Sequence, residues 1–353
     1  MCTYLKHDQK EYDIILQNIK ENYLSQSCMP KLLLGTGLSI VYKLPGMASL
    51  FKQLSDDFIK CTDTTIVSMW ESKKDDINKK GLEEGLSTIV SREQPLVDQI
   101  RKFTASFILK EENSLFNDIY NKDTGFRKLL SYLKETCSVN ERILDIMTPN
   151  YDRIIETVCD CLNINVITGF EGENTCHFNQ RLLKRPESLY NIRDNFFVRL
   201  FKPHGSLNWI SMDQQTILTN DNMRLLDHSD DIEIITPGGS KYKDGMINAA
   251  FRCMREDFNE VLDSTKNYSL FIFGYGFNDA HFDTVLFDYF KSHNTLIVSK
   301  DIKESIIDMS IKNSKMVLFY EKGGESYIIY KCQKFKIDHN LWDINEFASV
   351  LIG

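Results

Sequence analysis

No C-x-x-C pair occurs anywhere in the 353 residues, and no apolar run approaches the ~20 residues that cross a bilayer. The first absence excludes a zinc held by two cysteine pairs; the second argues against a membrane span. Positive charge is in deficit, with 42 Lys and Arg against 50 Asp and Glu and a formal charge of −8. A general electrostatic grip on nucleic acid needs clustered cations, so the composition speaks against it, although a local basic groove stays open. The opening stretch MCTYLKHDQKEYDI lacks the apolar centre of a secretory leader. Nine cysteines, an odd number, follow no small-scaffold spacing. The expectation is a cytoplasmic protein with reduced thiols. Internal repeats, low-complexity tracts and a P-loop are missing too.

What the chain does have is core-forming material: 42% hydrophobic and 11% aromatic residues. Its length exceeds one typical domain of ~100–200 residues. Tyr12, Ile15, Leu16, Ile19 and Tyr23 recur at helical spacing. KLLL then forms a short buried strand that opens into GTGLS. From about 51 to 135 the pattern is helical, with apolar positions such as Leu96, Ile100, Phe103 and Phe107, and ESKKDDINKKGLEEG (71–85) reads as a solvated surface segment. Strands return at 142–148, 165–168, 196–202, 268–274, 295–299, 316–320 and 326–331, the last two pairing across Gly323-Gly324. A mixed region separates the third of these from the fourth. Strands apolar throughout, with helices between them, require a parallel sheet covered on both faces. The expected fold class is α/β: a Rossmann-like, doubly wound parallel sheet in one domain spanning 1–353, with a helical insertion at about 51–135 forming a smaller module.

Four of these strands end on unusual residues: Gly35-Thr36-Gly37-Leu38-Ser39, Asn150-Tyr151-Asp152, His204-Gly205-Ser206, and Gly274-Tyr275-Gly276 with Asn278-Asp279. In an open parallel sheet, ligands bind beyond the carboxyl ends of the strands near a topological switch point. The four groups would therefore converge on one crevice. Each has a plainer account. Glycines admit a phosphate to backbone N–H groups, yet a tight turn explains them equally, and Ile40 stands where the dinucleotide fingerprint wants a small residue. Asn150 and Asp152 suit helix capping, as do Asn278 and Asp279. His204 could be a satisfied core histidine.

Together the motifs GTGLS with LPGMASL, TPNYD, KPHGSLNW and FIFGYGFND, in that order over residues 32–286, resemble the sirtuins. The likeness is to the bacterial sirtuin-like (silent-information-regulator-like) proteins more than to the histone deacylases. The resemblance implies NAD as substrate and cleavage of the bond between nicotinamide and ribose. It implies Gly35, Thr36, Gly37 and Ser39 around the pyrophosphate, and Asn150 and Asp152 beside the nicotinamide ribose with Tyr151 between them on the cofactor side. It implies His204 as the catalytic histidine and Gly274, Tyr275 and Gly276 at the adenosine half. Asp279 is a further cofactor contact and His281 a weaker one.

The departures from the deacylases also bear on function. Only Cys253 and Cys332 follow His204, so their structural zinc is not expected. Cys159, Cys161, Cys176 and His177 fit no standard metal spacing. Where the deacylases carry Pro-Asp-Phe-Arg, this chain reads Pro45-Gly46-Met47-Ala48, without the acidic and basic substrate contacts. Water is then the expected acceptor, giving nicotinamide and ADP-ribose, with His204 as general base, Asn150 positioning the ribose or a water, and Asp152 offsetting positive charge. Deacylation or ADP-ribosyl transfer, and a catalytically silent NAD-binding subunit, are the alternatives. The resemblance further implies an antiviral defence effector that depletes NAD on infection. A separately encoded activator (an ATPase or nucleotide-sensing protein) or a regulated homo-oligomer is expected with it.

Overall fold

A strand apolar at every position has to be covered on both faces, and the chain supplies helices for each. The computed structural model describes residues 3–25, 29–86, 93–138, 141–188, 195–236, 248–263 and 268–353. Its strands are β1 (Thr3–Leu5), β2 (Lys31–Leu34), β3 (Ile143–Met147), β4 (Asn165–Ile167), β5 (Phe170–Glu171), β6 (Cys176–Phe178), β7 (Phe197–Phe201), β8 (Gly205–Met212), β9 (Gln215–Leu218), β10 (Ile232–Ile234), β11 (Leu270–Phe273), β12 (Thr295–Val298), β13 (Met316–Lys322), β14 (Glu325–Tyr330) and β15 (Gln333–Ile337). Ten of them form one sheet in the order β1-β15-β14-β13-β12-β11-β2-β3-β7-β4.

All neighbours from β13 to β4 run parallel. The β13–β14 hairpin turns at Gly323-Gly324, β15 returns beside β14, and β1 joins parallel to β15. Side chains alternate between the two faces. Leu32, Leu34, Leu144, Ile146, Phe271 and Phe273 pack with helices Lys10–Tyr23, Gly125–Thr136, Ile154–Cys161 and Ile344–Leu351. Leu33, Met147, Leu270 and Ile272 face helices Ala249–Leu262, Ala280–Phe290 and Glu304–Lys312. From β2 the chain winds outward through β3 and β7, and from β11 through β12 and β13. The winding therefore reverses between β2 and β11, the switch point of a Rossmann-like sheet.

One expectation from the sequence needs correction, and the mixed region takes a definite form. The segment 71–85 is not simply solvated: it lies in helices Thr64–Lys80 and Leu82–Leu86, where Ile77 and Leu82 are buried. With Leu50, Leu54, Phe58, Leu96 and Ile100 they surround Trp70, which stacks on Phe58 at 4.5 Å. The mixed region holds much of a second, antiparallel sheet in the order β10-β8-β9-β6-β5. Its longest strand, β8, is covered on both faces and buries Ser206 and Asn208, so it lacks the alternation that marks a half-exposed strand.

Helix Gln94–Asn121 links the helical block to this second sheet. Ala105 and Leu109 pack with Leu207, Ile210, Ile217 and Ile232, and the Arg101 guanidinium donates to the Ile232 carbonyl. Among the described residues, no helix is long and apolar enough to cross a membrane.

Candidate active site

The ends of β2 and β11 interlock at the switch point. Gly35 N–H donates to the Phe273 carbonyl at 2.8 Å and Gly37 N–H to the Gly274 carbonyl at 2.9 Å. Gly274 sits at φ +59, a left-handed conformation that glycine adopts without strain. A Cβ on Gly35 would lie 2.4 Å from the Gly274 carbonyl oxygen. These glycines therefore let two strand-end turns touch. That contact also places the half-buried Thr36 at the mouth of the switch point, opening the short helix Thr36–Val41.

The end of β3 is tied into the same turn. Thr148 Oγ1 donates to the Leu34 carbonyl at 2.6 Å and accepts the Asn150 N–H at 3.1 Å. The Asn150 carboxamide, 9% exposed, donates to the Gly35 carbonyl at 2.9 Å and to Ser39 Oγ at 3.1 Å. Ser39 Oγ in turn donates to Asp152 Oδ2 at 2.6 Å. Asp152 also accepts the Ile154 N–H at 3.3 Å, the capping role its position suggests. Burial pushes the Asp152 carboxyl up to about 6, although nearby Lys202 and the Ser39 hydroxyl pull the other way.

Lys202, at the end of β7, is 2% exposed. Its ammonium donates to the Asp152 carbonyl at 2.5 Å, to Ser206 Oγ at 2.8 Å and to Glu156 Oε1 at 3.0 Å. Three residues on, the chain turns at Gly205, where φ is +82 and a Cβ would lie 2.2 Å from the Glu233 carbonyl oxygen. Only glycine lets β8 leave this turn so close to β10. The loops are laced further. The His204 carbonyl accepts Ile235 N–H at 2.9 Å, the Ile235 carbonyl accepts the Tyr151 hydroxyl at 2.5 Å, and the Tyr151 carbonyl accepts Leu207 N–H at 2.9 Å.

From β11, the loop 274–279 brings Asp279 to His204, with Nε2 and Oδ2 3.2 Å apart and both side chains 9% exposed. The Phe282 ring lies 5.5 Å from the imidazole. The Tyr275 hydroxyl donates to Asp283 Oδ1 at 3.1 Å, and the Tyr275 ring packs 5.0 Å from that of Phe277. Gly276 and Asn278 are exposed on this loop.

The structure thus brings Gly35, Gly37, Ser39, Asn150 and Asp152 into one bonded cluster, and joins His204 to Asp279. The interlaced 150–152 and 202–207 loops connect the two groups. Tyr151 stands apart from the rest: its ring lies in the apolar cluster with Ala105, Leu109 and Leu207. The side chain of His281 is outside the described residues. Two residues that the sequence did not flag also hold the site. Lys202 gathers the carbonyls around Asp152. Glu112, 3% exposed on helix Gln94–Asn121, accepts both the N–H of Arg153 and its guanidinium, the latter at 2.6 and 2.7 Å. Arg153 reaches on to Asn222 Oδ1 at 2.9 Å and Asn113 Oδ1 at 3.3 Å.

Among the described residues, no group of three or more His, Cys, Asp or Glu side chains is arranged to hold a metal ion. Cys159 is buried on the apolar face of its helix, where burial raises its thiol well above the ordinary range. Residues 145–308 match the family model of the SIR2-like domain. The matched segment includes Asn150, Asp152, His204, Gly274 and Asp279, while the Gly35–Ser39 turn precedes it. No curated protein matches the chain.

Proposed function

We propose that this sirtuin-like chain, whose SIR2-like domain carries an NAD-related function, hydrolyses NAD to nicotinamide and ADP-ribose. The observation that carries the reading is the meeting of the Asn150 carboxamide, the Ser39 hydroxyl and the Gly35-Thr36-Gly37 turn at the β2/β11 switch point, with the 202–207 loop that carries His204 bonded to the neighbouring Tyr151 and Asp152.

The nicotinamide nitrogen is cationic within NAD, so its departure needs little acid catalysis. The barrier lies in the oxocarbenium-like ribosyl centre, as in other glycosidic cleavages. Fixed dipoles and negative charge lower it when they are in place beforehand. Asn150 is held by Gly35 and Ser39 and positions a ribose hydroxyl or the attacking water. Asp152 offsets the developing positive charge while keeping the Ser39 hydroxyl in register. His204 takes the proton from water as the bond to C1 of the ribose forms. The glycine turn and Thr36 border the pyrophosphate, and Gly274, Tyr275 and Gly276 the adenosine half.

Water is the proposed acceptor because Pro45-Gly46-Met47-Ala48 offers no acidic or basic side chain to a protein substrate. The proposal extends to an antiviral effector that depletes NAD, controlled by a separately encoded activator or partner or by regulated homo-oligomerisation. Its support there is the resemblance of the motifs alone. The test is purified chain with NAD, alone and co-expressed with its neighbouring genes, with products identified by mass spectrometry. Nicotinamide and free ADP-ribose in equal amounts support hydrolysis. A modified protein or an acyl-ADP-ribose replaces water with another acceptor, and no nicotinamide under any condition overturns the reading.

A further inference from the structure

Resting on His204 as the base in NAD cleavage, we propose that Asp279 is the positioning residue for that imidazole. Asp279 holds Nε2 as the N–H nitrogen and leaves Nδ1 as the proton acceptor. This is a different role from the NAD contact that the sequence suggested for Asp279.

The two oxygens of Asp279 have separate partners. Oδ1 accepts the Phe282 N–H at 3.4 Å, at the start of helix Ala280–Phe290, and Oδ2 lies 3.2 Å from His204 Nε2. The Asp279 carbonyl accepts the Asp283 N–H at 2.8 Å, which fixes the carboxylate to the helix that carries it. Phe282, from the same first turn, sets its ring 5.5 Å from the imidazole. Asp283, the next carboxylate, accepts the Tyr275 hydroxyl at 3.1 Å.

The loop leading to Asp279 is itself held at several points. Gly274 is locked against Gly37. Phe277, 1% exposed, has φ +54, and its carbonyl accepts the Lys303 ammonium. A left-handed residue with a side chain costs on the order of 1 kcal/mol and persists where its surroundings over-determine it. The carboxylate also crosses the sheet: Asp279 follows β11, whereas His204 follows β7, with β2 and β3 between them. A buried carboxylate beside one ring nitrogen favours N–H there, so the lone pair of the neutral ring lies on the other. When Nδ1 takes the proton from water, the same carboxylate stabilises the imidazolium.

The test uses whole chain with 15N-labelled histidine and long-range 1H–15N spectra, the His204 signals being assigned by their loss in His204→Gln. Wild type is expected to show His204 protonated at Nε2 with the lone pair on Nδ1. Asp279→Asn keeps a good helix cap but removes the charge. It should shift His204 towards the other tautomer and lower kcat by about tenfold or more, with KM for NAD within about twofold. Asp279→Ser, also a good cap, serves if the asparagine variant does not fold. An Nδ1–H tautomer in wild type overturns the proposal. So does an unchanged tautomer with unchanged kcat in both variants, which leaves NAD cleavage standing. The expected tautomers without nicotinamide release from wild type uphold the pairing and remove the hydrolase reading instead.

Discussion

Gly37 and Gly274 touch backbone to backbone across the switch point: a Cβ on either would lie 2.5 Å from the Cα of the other. The glycines at these two strand ends are thus required by the fit of β2 to β11, before any ligand is considered. Gly274→Ala meets both this contact and the left-handed φ of +59. It should lower stability by about 2–4 kcal/mol in urea unfolding. Gly276→Ala meets only the mobile end of the exposed Asn278 side chain, at 2.9 Å, and should stay within about 0.5 kcal/mol.

Asp152 gives a pH signature of opposite sign to the usual surface carboxylate. Its folded-state value of about 6 lies above the ordinary unfolded range. Between the unfolded value of ~3.9 and the folded value, the folded state therefore binds more protons, and stability falls as pH rises. Above pH ~6 the full penalty applies, and below pH ~4 it vanishes. Asp152→Asn should be more stable than wild type at pH 7.5, with the difference shrinking to nothing by pH 4. Thermal melts across that range measure it. A constant difference would mean that the carboxyl is not perturbed.

Asn150 is used as a donor, to the Gly35 carbonyl and to Ser39. Asn150→Ala leaves that buried carbonyl without this partner and should cost about 1–3 kcal/mol. Asn150→Asp should be the worse substitution, since it sets an acceptor against the carbonyl and a second carboxylate near Asp152. Chemical denaturation at pH 8 ranks the two, and an aspartate variant as stable as the alanine one contradicts the assigned orientation.

The Glu112–Arg153 pair joins the helical block to the residue that follows Asp152, with side chains only 4% and 12% exposed. Breaking such a pair from one side typically costs about 3–5 kcal/mol. Glu112→Ala should show a loss of this order, together with reduced NAD turnover, because the Asn150–Asp152 loop loses a brace. The double variant Glu112→Ala/Arg153→Ala should be less destabilised than the sum of the single changes.

The parallel sheet was legible because its central strands are short, apolar and buried on both faces; Leu270–Phe273 is the plainest case. The glycine and polar groups at the strand ends were legible as well, since residues of that kind after an apolar strand are unusual. What could not be read is which of them meet. Gly37 and Gly274, or His204 and Asp279, become neighbours only through sheet order. Glu112 looks no different from the adjacent Glu111 in a charged helix, and the landing of the Arg153 loop decides which is buried. Asp145 and Arg199 each break an otherwise apolar strand. They sit opposite each other in register, where Asp145 bonds to Arg199 at 2.6 Å and to Lys31 at 3.0 Å. Complementary charges midway along successive parallel strands were the available signal. The second sheet left almost none, because strands such as Phe170–Glu171 are too short to show a period.

The most direct measurement is nicotinamide release from NAD by the wild-type chain, His204→Ala and Asn150→Ala, each shown to be folded by circular dichroism and each assayed with and without co-expressed neighbours. The proposed site at the β2/β11 switch point predicts turnover by wild type under at least one condition, and a loss of about a hundredfold or more in both variants. Undiminished release from both variants would contradict it.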